Sequence, residues 1–152
     1  MKIKLFYFII IVFCFYSSAY AESSIKASNG IIWDKKNQIY SATGNAEFTN
    51  NEIKAYANLI EAKYMIKDGK EVFETVNLNE NVKIFYNDEI FYSDRGVYNR
   101  SKSLITLTGN VSIESPSRFL SGDELVVDLN NSTRVLKTTG QQDMVEALIK
   151  DE

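Results

Sequence analysis

Two short marks recur along this chain in a fixed order, and their repetition restricts the architecture more than any other feature. A small residue followed by Asn or Asp stands at Ser28-Asn29, Ala57-Asn58, Ser93-Asp94 and Gly122-Asp123, at spacings of 29, 36 and 29 positions. A second mark follows the first three: Gly44-Asn45-Ala46-Glu47-Phe48, Glu80-Asn81-Val82-Lys83-Ile84 and Gly109-Asn110-Val111-Ser112-Ile113. Asn29 and Asn45 lie 16 positions apart, as do Asp94 and Asn110, whereas Asn58 and Asn81 lie 23 apart. The second unit therefore has seven extra residues, and the polar run Lys67-Asp68-Gly69-Lys70 reads as a longer turn that holds them. A fourth unit begins at Gly122-Asp123 and reaches Thr138-Thr139-Gly140. Repetition on this scale indicates stacked supersecondary units, each burying its apolar face on its neighbours.

Within each unit the local pattern is that of strands. Ile105-Thr106-Leu107-Thr108, Val111-Ser112-Ile113 and Val82-Lys83-Ile84 alternate apolar with polar residues, which turns one face to a core and the other to water. Asp34-Lys35-Lys36-Asn37, Asn99-Arg100-Ser101-Lys102 and Asn130-Asn131-Ser132 are the polar clusters of hairpin turns. Each unit thus reads as two or more short strands. The stretch from Ile53 to Met65 has helical propensity, but its equivalents Val97-Tyr98 and Leu125-Val126-Val127 are strand-like, so its place in the repeat assigns it to a strand. Gly-Asn ahead of an apolar alternation suits a turn or a bulge, because both residues tolerate a positive φ. The expected fold is all-β: an elongated β-jelly roll or flattened β-solenoid of repeated antiparallel strand pairs.

The N-terminus reads as a secretory leader. Lys2 and Lys4 precede an apolar run from Leu5 to Tyr16, and Ala19-Tyr20-Ala21 supplies a small-x-small cleavage site. The run is shorter than the roughly 20 apolar residues that a membrane-spanning helix needs. The expected organisation is therefore a cleaved signal, residues 1–21, cut after Ala21, and a single β domain, residues 22–152. Cleavage removes two lysines and no acid, leaving 15 basic against 20 acidic residues and a net charge of −5. That balance opposes binding to phosphate backbones, so nucleic acid is not an expected partner. The chain has no histidine, and its one cysteine, Cys14, lies in the leader. Imidazole-based catalysis, thiolate chemistry, disulfides and zinc clusters are therefore excluded from the mature chain. The acidic pairs Asp88-Glu89 and Asp123-Glu124 are poor acid–base partners, because neighbours along a strand point to opposite faces, and they read as solvated edge or turn residues. No enzymatic activity, metal or cofactor is expected.

An unclosed stack of strand pairs leaves terminal strands with unpaired N–H and C=O groups, a template for adding another chain. The segments Thr43 to Phe48 and Leu107 to Ile113, the latter followed by Gly122-Asp123-Glu124-Leu125-Val126-Val127, resemble the periplasmic lipopolysaccharide transport (LptA, or OstA-like) family. The resemblance runs from about Ile25 to Ile149 and includes the closing run Met144-Val145-Glu146-Ala147-Leu148-Ile149. It implies a periplasmic jelly-roll bridge between inner and outer membranes. Such a bridge pairs by its edge strands with LptC-like and LptD-like jelly rolls or with copies of itself head to tail. Lipopolysaccharide travels along it with acyl chains inside and sugars outside.

Each acyl CH₂ kept from water is worth about 0.8 kcal/mol, so such a lipid needs an apolar slot to cross an aqueous space. The alternating apolar positions are the candidate lining: Val82, Ile84, Phe91, Ile105, Leu107, Val111, Ile113, Leu120, Leu125 and Val127, with Phe48 equivalent to Ile113 and Ile25 at the N-terminal entrance. The same alternation would fill an ordinary closed core, and periodicity does not separate the two. Val145, Ala147 and Leu148 are the candidates for pairing with a next protomer. Two other readings stay open. One is a different member of the same superfamily, such as a membrane-anchored LptC-like protein or a detached LptD N-terminal domain. The other is a secreted carbohydrate-binding β-sandwich with a platform drawn from Trp33, Tyr86, Tyr92 and Tyr98.

Overall fold

The computed structural model describes residues 22–140 and 144–149; the leader assigned to residues 1–21 lies outside them. Ten strands follow one another: β1 (Ser24–Lys26), β2 (Gly30–Asp34), β3 (Ile39–Thr49), β4 (Lys54–Lys67), β5 (Lys70–Tyr86), β6 (Glu89–Asn99), β7 (Leu104–Ser115), β8 (Arg118–Asp128), β9 (Thr133–Lys137) and β10 (Glu146–Ile149). All pair antiparallel in one open sheet ordered β1-β3-β4-β5-β6-β7-β8-β10, with β2 also on β3 and β9 also on β8. The central strands are long, and each passes through a register shift near its middle.

Those shifts fall on the repeat marks. Gly44-Asn45, Glu80-Asn81 and Gly109-Asn110 all have positive φ, from 41° to 81°, and lie in the unpaired gaps of β3, β5 and β7. The small-Asn/Asp marks lie opposite them, three on β4, β6 and β8 and Ser28-Asn29 in the bend between β1 and β2. Asn110 donates to the Asp94 carboxylate at 2.8 Å, and Asn58 donates to Glu80 at 3.2 Å. Ser28 Oγ donates to the Gly44 carbonyl at 2.8 Å. In the fourth unit Asp123 accepts from the Thr139 amide at 2.8 Å and from its hydroxyl at 3.1 Å. The 16-residue spacing is thus the path from one side of a bulge to the other. The marks are bulges inside continuous strands and not hairpin ends, so the short strands expected of each unit are halves of long ones.

A two-residue bulge bends a strand and increases its twist. A line of them across successive strands creases the sheet, and its two halves face each other. Phe48, beyond the bulge in β3, meets Phe73 at the start of β5 with ring centroids 5.7 Å apart and Tyr98 near the end of β6 at 6.3 Å. A Cβ on Gly96 would meet its cross-strand neighbours Leu107 and Leu78 and also, at 3.4 Å, Val82 of the opposite half. Buried side chains from both halves form one cluster.

The hairpins at the ends of the strands follow their turn chemistry. Asp34, Asn99 and Asp128 accept from backbone N–H groups two or three residues on, at 2.9–3.1 Å. The bond from the Asn37 amide, and that from the Asn131 amide, hold the carboxyls of Asp34 and Asp128 below their ordinary range. Asp68 and Gly69 form a two-residue turn with positive φ at both positions. The seven extra residues of the second unit therefore do not lengthen that turn. They extend β4 and β5 to 14 and 17 residues, an overhanging hairpin beyond the neighbouring strands. From Lys54 onward the stretch Ile53 to Met65 is strand, as its repeat position requires, because the pairing on both sides supplies the backbone bonds that helical propensity would otherwise satisfy.

The crease predicts a graded response to adding a methyl group. Gly69 has φ 73° with open space around it, whereas Gly109 has φ 80° and a Cβ there would sit 2.5 Å from the Asp94 carboxylate. Gly69→Ala is expected to cost about 1 kcal/mol and Gly109→Ala about 2–3 kcal/mol in urea unfolding. Equal losses would remove the crease from its structural role.

Candidate functional site: the interior between the layers

The space between the two layers collects the apolar face of the sheet. Of the twelve candidate lining residues, Phe48, Val82, Ile84, Phe91, Ile105, Leu107, Val111, Ile113, Leu125 and Val127 are buried in one cluster. Ile25 and Leu120 are partly buried and pack against it. Sequence reasoning omitted an equally buried group, including Ala55, Ala57, Ile60 and Ala62 of β4 and Val76 and Leu78 of β5. Their period-two spacing was visible, with the phase shifted at the bulge of β4. The lining changes along the sheet: small alanines of β3 and β4 share the cluster with Phe48 and Tyr98, whereas β7 and β8 contribute Ile, Leu and Val.

Both ends of the sheet are open among the described residues. At the N-terminal end β1 and β2 pair only with β3, and at the C-terminal end β9 and β10 pair only with β8. Trp33 in β2 continues the apolar layer to the first of these ends. Its ring stacks on Tyr40 at 5.7 Å, and its Nε1 donates to the Tyr64 hydroxyl at 3.0 Å. Tyr40 donates in turn to Glu71 at 2.8 Å, and burial followed by that bond pushes its hydroxyl pKa up to about 12. At the second end Ala147 and Leu148 lie in β10, opposite Leu120 and Phe119, and Val145 immediately precedes the strand. All three are exposed.

The side of the fold opposite the crease is where the strand ends of the two layers meet. Among the described residues β6 supplies a polar contact that bridges it near each of its ends. Near one end of that strand, Tyr98 donates to the Glu52 carboxylate in the β3–β4 turn and accepts from Asn50 Nδ2 at 3.1 Å. Burial, then the bond to Glu52, raises the Tyr98 pKa well above the ordinary tyrosine range, so this hydroxyl remains a donor. At the other end Glu89 receives Arg134 Nε at 2.8 Å and Nη2 at 2.5 Å, with Arg118 Nη2 at 3.8 Å. Glu89 is 5% exposed. The sequence reading of Asp88-Glu89 as solvated is therefore right for the turn residue Asp88 and wrong for Glu89. Its alternation with Phe91 and Ser93 carried the missed signal, since i, i+2 and i+4 share one face of a strand.

The four aromatic residues considered as a carbohydrate platform do not assemble into one. Tyr98 is buried in the core, Tyr86 packs on Phe91 at 6.5 Å, and Trp33 is committed to the Tyr40 stack at the other end. Among the described residues no group of three or more His, Cys, Asp or Glu is placed to hold a metal ion.

Residues 24–133, from β1 to the start of β9, match the family model described as LptA/(LptD N-terminal domain) LPS transport protein. The chain belongs to this LptA/LptD N-terminal family. Its fold is similar to that of LptH from Pseudomonas aeruginosa, described as the LptA homologous periplasmic component of the conserved lipopolysaccharide transport device. The TM-score is 0.74 at 14% identity, over 86% of this chain and 96% of that one. No curated protein matches the chain in sequence. The open, creased sheet described above is thus the jelly roll expected of an LptA-like chain.

The packing predicts which candidates matter for stability. Phe91→Ala, within the core, is expected to lose about 3–5 kcal/mol in denaturant unfolding. Leu148→Ala, on the exposed β10, should stay within about 0.5 kcal/mol. A large loss from Leu148→Ala would mean that β10 is part of the folding core.

Proposed function

We propose that this protein is an exported periplasmic bridge that takes lipopolysaccharide acyl chains between its two β layers and passes the lipid from inner toward outer membrane. The observation that carries this reading is an apolar interior that runs the length of an open sheet and reaches a free strand edge at each end. An enzyme does not need such an interior, and a closed barrel would not leave both ends unpaired. Membership of the lipopolysaccharide transport family supports the same reading.

In this reading residues 1–21 are removed after Ala21 and the remainder, 22–152, works as one domain. Acyl chains contact inward positions such as Phe48, Val82, Ile84, Phe91, Ile105, Leu107, Val111, Ile113, Leu125 and Val127, with Ile25 and Leu120 nearer the margins. The edge strands extend the slot by pairing with neighbouring jelly rolls of the LptC-like or LptD-like kind, or with a second copy. Val145, Ala147 and Leu148 lie on or beside the C-terminal pairing strand. The driving force within the bridge is burial of apolar surface at every step, and no covalent bond is made or broken.

The test is photocrosslinking in living cells from a photoreactive residue placed at Phe91 or Ile113, with the outward, exposed Val97 as the control. Lipopolysaccharide adducts are expected from the inward positions and not from Val97. No adduct from any inward position would leave a closed core and sink the reading.

A further inference from the structure

We propose that the Tyr98–Glu52 and Arg134–Glu89 contacts are two clasps that close the side of the jelly roll opposite the crease, and that acyl chains enter the interior sideways when they release. The inference rests on the transport reading above and adds a route and a barrier to it.

A line of bulges fixes one long side of the fold as a continuous sheet, because every central strand passes through it. Among the described residues no strand crosses the opposite side. There the layers are joined by side chains from residues at or next to strand ends: Tyr98 and Glu89 on β6, Arg134 on β9, Asn50 and Glu52 in the β3–β4 turn. Side-chain contacts can open without breaking the sheet ladder, whereas the crease cannot. The side therefore has the lower opening cost, and each clasp supplies a defined part of it.

The chemistry of the clasps fits a reversible closure. Beside the first, Ser23, Asn50, Asn51, Glu52 and Arg100 line a polar recess, so water can take over the bonds of Tyr98 and Glu52 when they part. In the second, Glu89 is buried yet faces two cations, and Arg118 is held only loosely at 3.8 Å. As Arg134 withdraws, Arg118 can remain with Glu89, so the carboxylate need not be left buried and unpaired, the costly outcome for such a group. Behind the first clasp lies Phe48, and behind the second the Tyr86 ring under the Arg134 guanidinium, packed in turn on Phe91; these are the rings that an acyl chain would meet first.

The experiment uses the mature chain with Glu89→Gln, Tyr98→Phe and the double variant, and purified lipopolysaccharide as the probe. Loading is followed as the rate of adduct formation from a photoreactive residue at Ile113, and the opening by spin-label distances between Asn51 and Ser101 and between Asp88 and Asn130. Released clasps are expected to widen the distances and to speed loading about threefold to tenfold each, the range that one hydrogen-bonded contact supplies. Loading by the variants but not by the wild type would support the proposal more strongly. Equal or slower loading by folded variants, with the wild type also loading, overturns the clasps and leaves the transport reading standing. No adduct from any form removes both. Should the variants not fold, the wild-type distances decide: broadening on addition of lipopolysaccharide supports the proposal, and an unchanged distance during loading overturns it.

Discussion

The architecture depends on a backbone constraint, the left-handed pair of residues that bends each odd-numbered central strand at its middle. Two consecutive residues at positive φ are accessible to Gly-Asn and cost most other pairs strain. Glu80-Asn81 adopts the same geometry without glycine, and Glu80 is tied there by the Asn58 side chain. Around Gly109 the fit is tighter, because the Asp94 carboxylate that receives Asn110 occupies the space a side chain would need. The constraint is therefore local in origin and collective in effect. Repeated at matching positions on neighbouring strands, it converts one twisted sheet into two facing layers.

Once folded along this line, the sheet has two unlike sides. The creased side is held by backbone ladders and the opposite side by a few polar side chains over an apolar interior. Such an arrangement is unusual for a protein whose only need is stability, since a closed barrel would pair every edge. It suits a slot. The outer edges of β1, β2, β9 and β10 carry no further strand among the described residues, and the family to which the chain belongs is named for lipopolysaccharide transport.

Much of this is legible in the residues themselves. The alternation in β7 and β8 places Ile105, Leu107, Val111, Ile113, Leu125 and Val127 on one face, and all six are buried. The polar turns at Asp34, Asn99 and Asp128 are where composition puts them, because their side chains bond the backbone of the turn directly. The residues that escaped notice depended on partners far away in sequence. Glu89 looks like half of an acidic turn pair until Arg134, 45 positions on, is brought to it. Tyr98 looks like a cross-strand aromatic until Glu52 and Asn50 receive and supply its bonds. The seven-residue insertion was legible as an insertion but not as longer strands, because a tight Asp68-Gly69 turn and an extended one share the same polar residues.

The sequence alone determined that these segments are strands, which faces of β7 and β8 turn inward and the spacing of the bends, since each of these follows from the identity of near neighbours and the conformations they allow. The tertiary structure alone decided that the bends align into a single crease, that the two halves close on each other, and which charged and hydroxyl groups meet across the open side. Those outcomes depend on register accumulated over many pairings and on contacts between residues tens of positions apart, and no local pattern carries that information.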